Sequence, residues 1–107
     1  MRKKEDKVLI VSPEEIHQNA IDHGWYEDQR SVPELLCLIH SEVSEALEGY
    51  RNGVKDGEKG CLAEELADVV IRVFDMAEAY GIDIVNEINN KHEYNKTRPY
   101  RHGGKAC

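Results

Sequence analysis

Apolar residues recur along this chain at intervals of three and four, and no stretch alternates with the period of two that marks a strand. The clearest series is Val32, Leu35, Leu36, Ile39, Val43, Ala46, Leu47 and Tyr50. Ser31 precedes it as an N-cap, with Glu34 at the capping-box position. This predicts a long helix that ends where Gly53, Gly57 and Gly60 punctuate the polar connection RNGVKDGEKG. Upstream, Ser12, Pro13 and Glu15 supply a cap, a first-turn proline and a capping box. They predict a helix to about Asp22, stopped by Gly24, and then a loop over Trp25–Ser31. A third helix is expected from near Cys61 to near Tyr80, with Gly81 as its left-handed stop. Leu62, Leu66, Val69, Val70, Ile71, Val73, Phe74 and Met76 spread around its girth, which predicts a central helix covered on several sides. Asp83 caps a fourth helix reaching about Thr97, because the residue before Pro99 resists the helical conformation.

The predicted class is therefore all-α, a bundle of four to five helices in a single domain spanning 1–107. Segments 1–11 and 99–107 are expected to be mobile. The third helix carries more apolar surface than three short neighbours can cover, so homo-oligomerisation is expected to complete the core.

Composition narrows the function. The chain has 107 residues and a net charge of −7, which disfavours a binder of nucleic-acid polymers, since that needs a basic face. Cys37, Cys61 and Cys107 have no metal-type spacing and read as reduced thiols, so a cytoplasmic protein is expected. Cys37 and His40 are three apart, but no second pair supports zinc. The opening MRKKEDKVLIVS has an apolar run too short for a signal peptide or a membrane span, and no membrane partner is expected.

The candidate chemistry lies in two acidic pairs, Glu42-x-x-Glu45 and Glu65-x-x-Asp68. Positions three apart on a helix lie within about 60° of each other, so each pair aims two carboxylates one way. The short connection makes the second and third helices antiparallel neighbours. Glu45 and Glu65 each stand about five residues from the turn, and Glu42 and Asp68 each lie one turn further out. Equal distances put Glu45 beside Glu65 and Glu42 beside Asp68, on the flank of the apolar stripe. Four converging carboxylates repel one another unless cations join them, and hard oxygen ligands suit Mg²⁺ or Mn²⁺. Either pair alone fits a solvated helix face; the matched heights leave metal site and decorated seam both open.

The stretches LIHSEVSEALEGYRNG, AEELADVVIRVFDMAEAYGIDI and KHEYNKTRPYRHGGK resemble the MazG-like nucleotide pyrophosphohydrolases, a branch of the all-α NTP pyrophosphatase superfamily. The resemblance covers roughly residues 15–105 and implies Mg²⁺-dependent cleavage of nucleoside triphosphates to monophosphate and pyrophosphate, in nucleotide-pool house-cleaning. It implies a homodimer or homotetramer, with the pocket often completed by a neighbouring chain. Carried over by position, Glu42, Glu45, Glu65 and Asp68 would be the catalytic metal ligands. The chain departs from the pattern at Ser41, where many members carry a glutamate proposed as the base. A ligand glutamate or the metal's own water then takes that role. The alternative is a non-catalytic nucleotide-sensing or dimerisation module of the same fold.

Lys91 and Asn95 share a helix face, with Arg98 almost one turn on; the resemblance places these positions on substrate phosphate or sugar. The same charges also complement a helix C-terminus. Trp25 is a candidate to stack on the base, or to cap the bundle core, and His17 and Gln18 lie near the family's base pocket. Glu64 orients a water or is simply surface. Arg72 is expected to pair with Asp68 or Asp75 along its own helix, or to reach phosphate. Tyr100, Arg101, His102 and Lys105 either close over the site or form a solvated tail.

Overall fold

The computed structural model describes residue 8 and residues 11–100. Four helices account for the regular structure among these residues: α1 (Pro13–Asp22), α2 (Val32–Arg51), α3 (Leu62–Ala79) and α4 (Ile84–Lys96). There is no strand among them, and none of the helices is long and apolar enough to cross a membrane. The all-α expectation holds. The expectations for Arg101, His102 and Lys105, and most of those for the two terminal segments, lie outside the described residues.

Local chemistry sets the helix limits. The hydroxyl of Ser12 accepts from the backbone N–H of Glu15, Ser31 does the same for Glu34, and the Asp83 carboxylate for Asn86. α3 has no such side-chain cap, because Cys61 precedes it. Instead the Glu64 carboxylate accepts from the Gly60 N–H at 3.1 Å and closes the turn from outside. Glu64 thus serves the helix start. Gly24 and Gly81, at φ 81° and 68°, end α1 and α3 in the left-handed conformation that glycine adopts without strain.

α3 is the hub, packing broadly on α1 and α2 and lightly on α4. α2 and α3 run antiparallel: Gly49 meets Gly60 near the turn, and Glu42 meets Arg72 further out. Gly49 is buried, and a Cβ there would stand 2.2 Å from the Gly60 carbonyl oxygen. The close approach of helix and loop therefore requires glycine, and it sets the register of the hairpin.

The coverage of α3 is narrower than its composition predicts. Phe74, Asp75 and Ala77 are buried in its C-terminal half, but Leu62, Leu66, Val70 and Ile71 are exposed. α2 divides likewise. Leu35, Ala46 and Gly49 are buried, whereas Val32, Leu36, Val43, Leu47 and Tyr50 form an exposed row. That row lies roughly 100° from the packing face, in the same rotational sense as Leu62, Leu66 and Val70 on α3. Because the helices are antiparallel, both rows open on one side of the hairpin. α4 buries none of its residues and exposes Val85, Ile88 and Tyr94.

Replacing Gly49 by alanine should cost about 1–3 kcal/mol, the range for forcing a methyl into packed surroundings, despite alanine's better helix propensity. Denaturant unfolding of Gly49→Ala against wild type measures it, and an unchanged or higher stability would show that the Gly60 carbonyl moves aside freely.

Candidate functional site

Three of the four predicted carboxylates converge. Glu42, Glu45 and Glu65 each offer an oxygen, and these oxygens lie within 4.8 Å of one another. Glu45 beside Glu65 agrees with counting outward from the turn. Glu42 departs from its expected place on the flank: its wheel position falls with Leu35, Ala46 and Gly49 in the packing face. Its side chain is only 14% exposed. Asp68 is not in the three-oxygen group, but lines the adjoining cavity together with Glu42.

The cluster is electrostatically loaded. The Glu65 carboxyl is pushed above its ordinary value, first by burial and then by the negative charges of Glu45, Asp68, Glu42 and Glu64. Its Oε2 is buried with no hydrogen-bond partner. A buried acceptor without a donor is costly, and a divalent cation satisfies it without needing a proton. Glu42, Glu45 and Glu65 therefore fit Mg²⁺ or Mn²⁺ by donor type, convergence and an unmet acceptor. No such pattern surrounds Cys37 and His40, so zinc has no support among the described residues.

A cavity of about 280 Å³ adjoins the cluster. α2 and α3 supply Glu42, Asp68, Ile71, Arg72 and Asp75; α1 and the turn after it supply Ile16, Asn19, Ala20, His23 and Trp25. The indole Nε1 of Trp25 is also buried without an acceptor. Trp25 is also held by two guanidiniums. Arg30 lies 4.3 Å and Arg72 3.9 Å from the ring centre, and Arg30 Nε donates to the Trp25 carbonyl at 2.7 Å. Both guanidiniums thus crowd the indole. A base cannot stack where a guanidinium already covers the ring.

One wall is pinned by Asp75, which is 3% exposed. Its two oxygens accept from the Tyr26 hydroxyl and from His17 Nδ1, both at 2.7 Å. A carboxylate in this environment accepts, so Nδ1 carries the proton. The His17 and Tyr26 rings meet edge to face at 4.8 Å. Burial, followed by the bond to Asp75 and its charge, drives the Tyr26 hydroxyl well above the ordinary phenol range, against the opposing charges of Arg30 and Arg72. His17 therefore does not line the cavity as a substrate ligand. It is spent on Asp75, and Asn19 and His23 line the α1 side instead. Gln18 also turns away and donates to Asp22 at 2.8 Å.

Other expectations resolve differently. Arg72 pairs with neither Asp68 nor Asp75 but across the hairpin, its Nε donating to Glu42 Oε1 at 3.4 Å. Ser41 donates to the Cys37 carbonyl within its own helix and supplies no base. Lys91, Asn95 and Arg98 are exposed on or just beyond α4, apart from the cavity wall. Lys91 and Arg98 gather over the Tyr94 ring, at 4.7 and 5.9 Å. Within one chain the acidic cluster and this basic set are not brought together.

No protein-family model, curated protein or solved structure matches the chain.

The raised Glu65 carboxyl has a pH consequence. A carboxyl whose folded pKa exceeds its unfolded one binds more protons when folded, so its contribution to stability falls as pH rises through the folded value. With chelator present, wild type should lose melting temperature relative to Glu65→Gln as pH climbs from the ordinary carboxylate range to neutrality. Saturating Mg²⁺ should close or reverse that gap. Thermal melts across pH, with and without Mg²⁺, read both effects, and parallel melting curves would contradict them.

Proposed function

We propose that this protein is a Mg²⁺-dependent nucleoside triphosphate pyrophosphohydrolase of the MazG-like kind, cleaving (d)NTPs between the α and β phosphates. The observation that carries the reading is the convergence of Glu42, Glu45 and Glu65 beside a cavity containing the chain's only tryptophan. Hydrolysis of a phosphoanhydride needs its charge neutralised and a water placed in line. Mg²⁺ supplies the neutralisation and lowers the pKa of a bound water, which reduces the demand on a protein base at Ser41. In this reading Glu42, Glu45 and Glu65 hold the cation, with Asp68 as a fourth carboxylate at the cavity side. Asn19, His23 and the Trp25 N–H offer the cavity's polar edges to a base. Lys91, Asn95 and Arg98 serve the phosphates of a neighbouring chain's site.

That last assignment requires an oligomer, and the exposed rows support one. Val43 and Leu47 on α2, with Leu66 and Val70 on α3, give an apolar side that a second hairpin can cover. A homodimer, or a pair of them, would also bury the uncovered apolar edge of α4. Pool cleaning inside the cytoplasm is the role that fits this activity.

Turnover is tested with a panel of common and modified (d)NTPs, following both monophosphate and pyrophosphate. Activity should need Mg²⁺ or Mn²⁺, and Glu42→Gln or Glu45→Gln should lower it by at least about a hundredfold, the upper end for losing even an outer partner of a metal ligand. Nucleotide binding without any release of pyrophosphate would favour the non-catalytic sensing module, to which Ser41 already lends weight. Separately, Leu47→Asp should shift the sedimentation mass from an oligomer to a single chain. An unaltered mass would place the interface elsewhere.

A further inference from the structure

Arg72 has a position that its sequence neighbours do not explain. Its Nε holds Glu42 through one long bond of 3.4 Å, and its guanidinium covers Trp25 at 3.9 Å. All three side chains line the same cavity. A guanidinium is a donor only, and one stretched contact leaves most of its hydrogen-bonding capacity unused. The contact is weak enough to be exchanged. It is also placed where a cation bound by the cluster must compete for the same Glu42 carboxylate while repelling the arginine.

Resting on the metal-centre reading above, we propose that Arg72 is the built-in counter-ion of the acidic cluster. A divalent cation entering on Glu42, Glu45 and Glu65 displaces its guanidinium from Glu42. The displacement takes the Arg72 guanidinium off the Trp25 ring, while Arg30 stays beside it. Metal occupancy and access to the indole face are thereby coupled. A planar aromatic ligand finds its stacking surface only after the cation has bound, and by linkage such a ligand tightens the cation in return. Arg72 is a positioning residue in this scheme and acts through Glu42 and Trp25.

Trp25 is the sole tryptophan, so its fluorescence reports the Arg72 contact directly. Mg²⁺ is titrated into the full-length chain, with binding followed by calorimetry and by Trp25 emission. In wild type the emission should change along the binding isotherm. Arg72→Met should bind Mg²⁺ about fivefold or more tightly, as expected for removal of a coupled competitor, and its emission should no longer respond. Arg72→Lys keeps the charge, so its affinity should stay close to wild type. A merely structural arginine predicts the opposite sign, because a loosened site binds metal less well. If wild type binds neither Mg²⁺ nor Mn²⁺, the metal-centre reading falls and this inference with it. If wild type binds Mg²⁺ with silent emission, or Arg72→Met binds it no better, the inference alone is overturned. Should Arg72→Met fail to fold, the wild-type emission and Arg72→Lys still decide.

Discussion

A carboxylate buried among three elements governs the geometry of this protein. Asp75 sits in the closed half of α3 and accepts from His17 on α1 and Tyr26 in the following loop. A buried charge is tolerated only with such partners, and removing them would leave it uncompensated. The same two bonds tie the middle of α1 and the loop after Gly24 to one point on α3. The turn at Gly24 delivers Trp25 to its contacts with Arg30 and Arg72. The cavity is thus walled by an acid that the sequence offered only as a helix partner for Arg72.

The acidic cluster is the complementary constraint. Asp75 has its donors; Glu65 has an oxygen with none. One carboxylate is spent on structure and the other is left with unmet capacity, only a few turns away on the same helix. Gly49 and the Gly60 carbonyl hold α2 and α3 in the register that brings Glu42 and Glu45 to Glu65. Packing thus imposes the repulsion, and Arg72 relieves part of it at Glu42. The three carboxylates are thus organised by packing alone.

Local features were legible in the sequence because their causes are local. Ser12, Ser31 and Asp83 cap helices through bonds three residues long, and Gly24 and Gly81 stop them by backbone freedom alone. The meeting of Glu45 with Glu65 was also legible, since counting from a turn needs only helix rise. What escaped depends on partners distant in the chain. Nothing near Asp75 announces His17 and Tyr26, and nothing near Arg72 announces Glu42 over its own helix neighbours. Nothing near Gly49 announces the carbonyl it admits, which lies across a loop. The apolar series of α2 was read as one stripe, yet it contains two. Leu35 and Ala46 face this chain, while Leu36, Val43 and Leu47 face away, and a three/four period cannot separate adjacent faces that carry the same chemistry.

α4 is 13 residues long and buries none of them. A peptide of that length is marginal as an isolated helix in water, because nucleation is costly and few bonds follow. Its order must then be borrowed from whatever surface lies against Val85, Ile88 and Tyr94. If a second copy of the chain supplies that surface, the helicity of α4 is subject to mass action, and dilution becomes a mild and local denaturant.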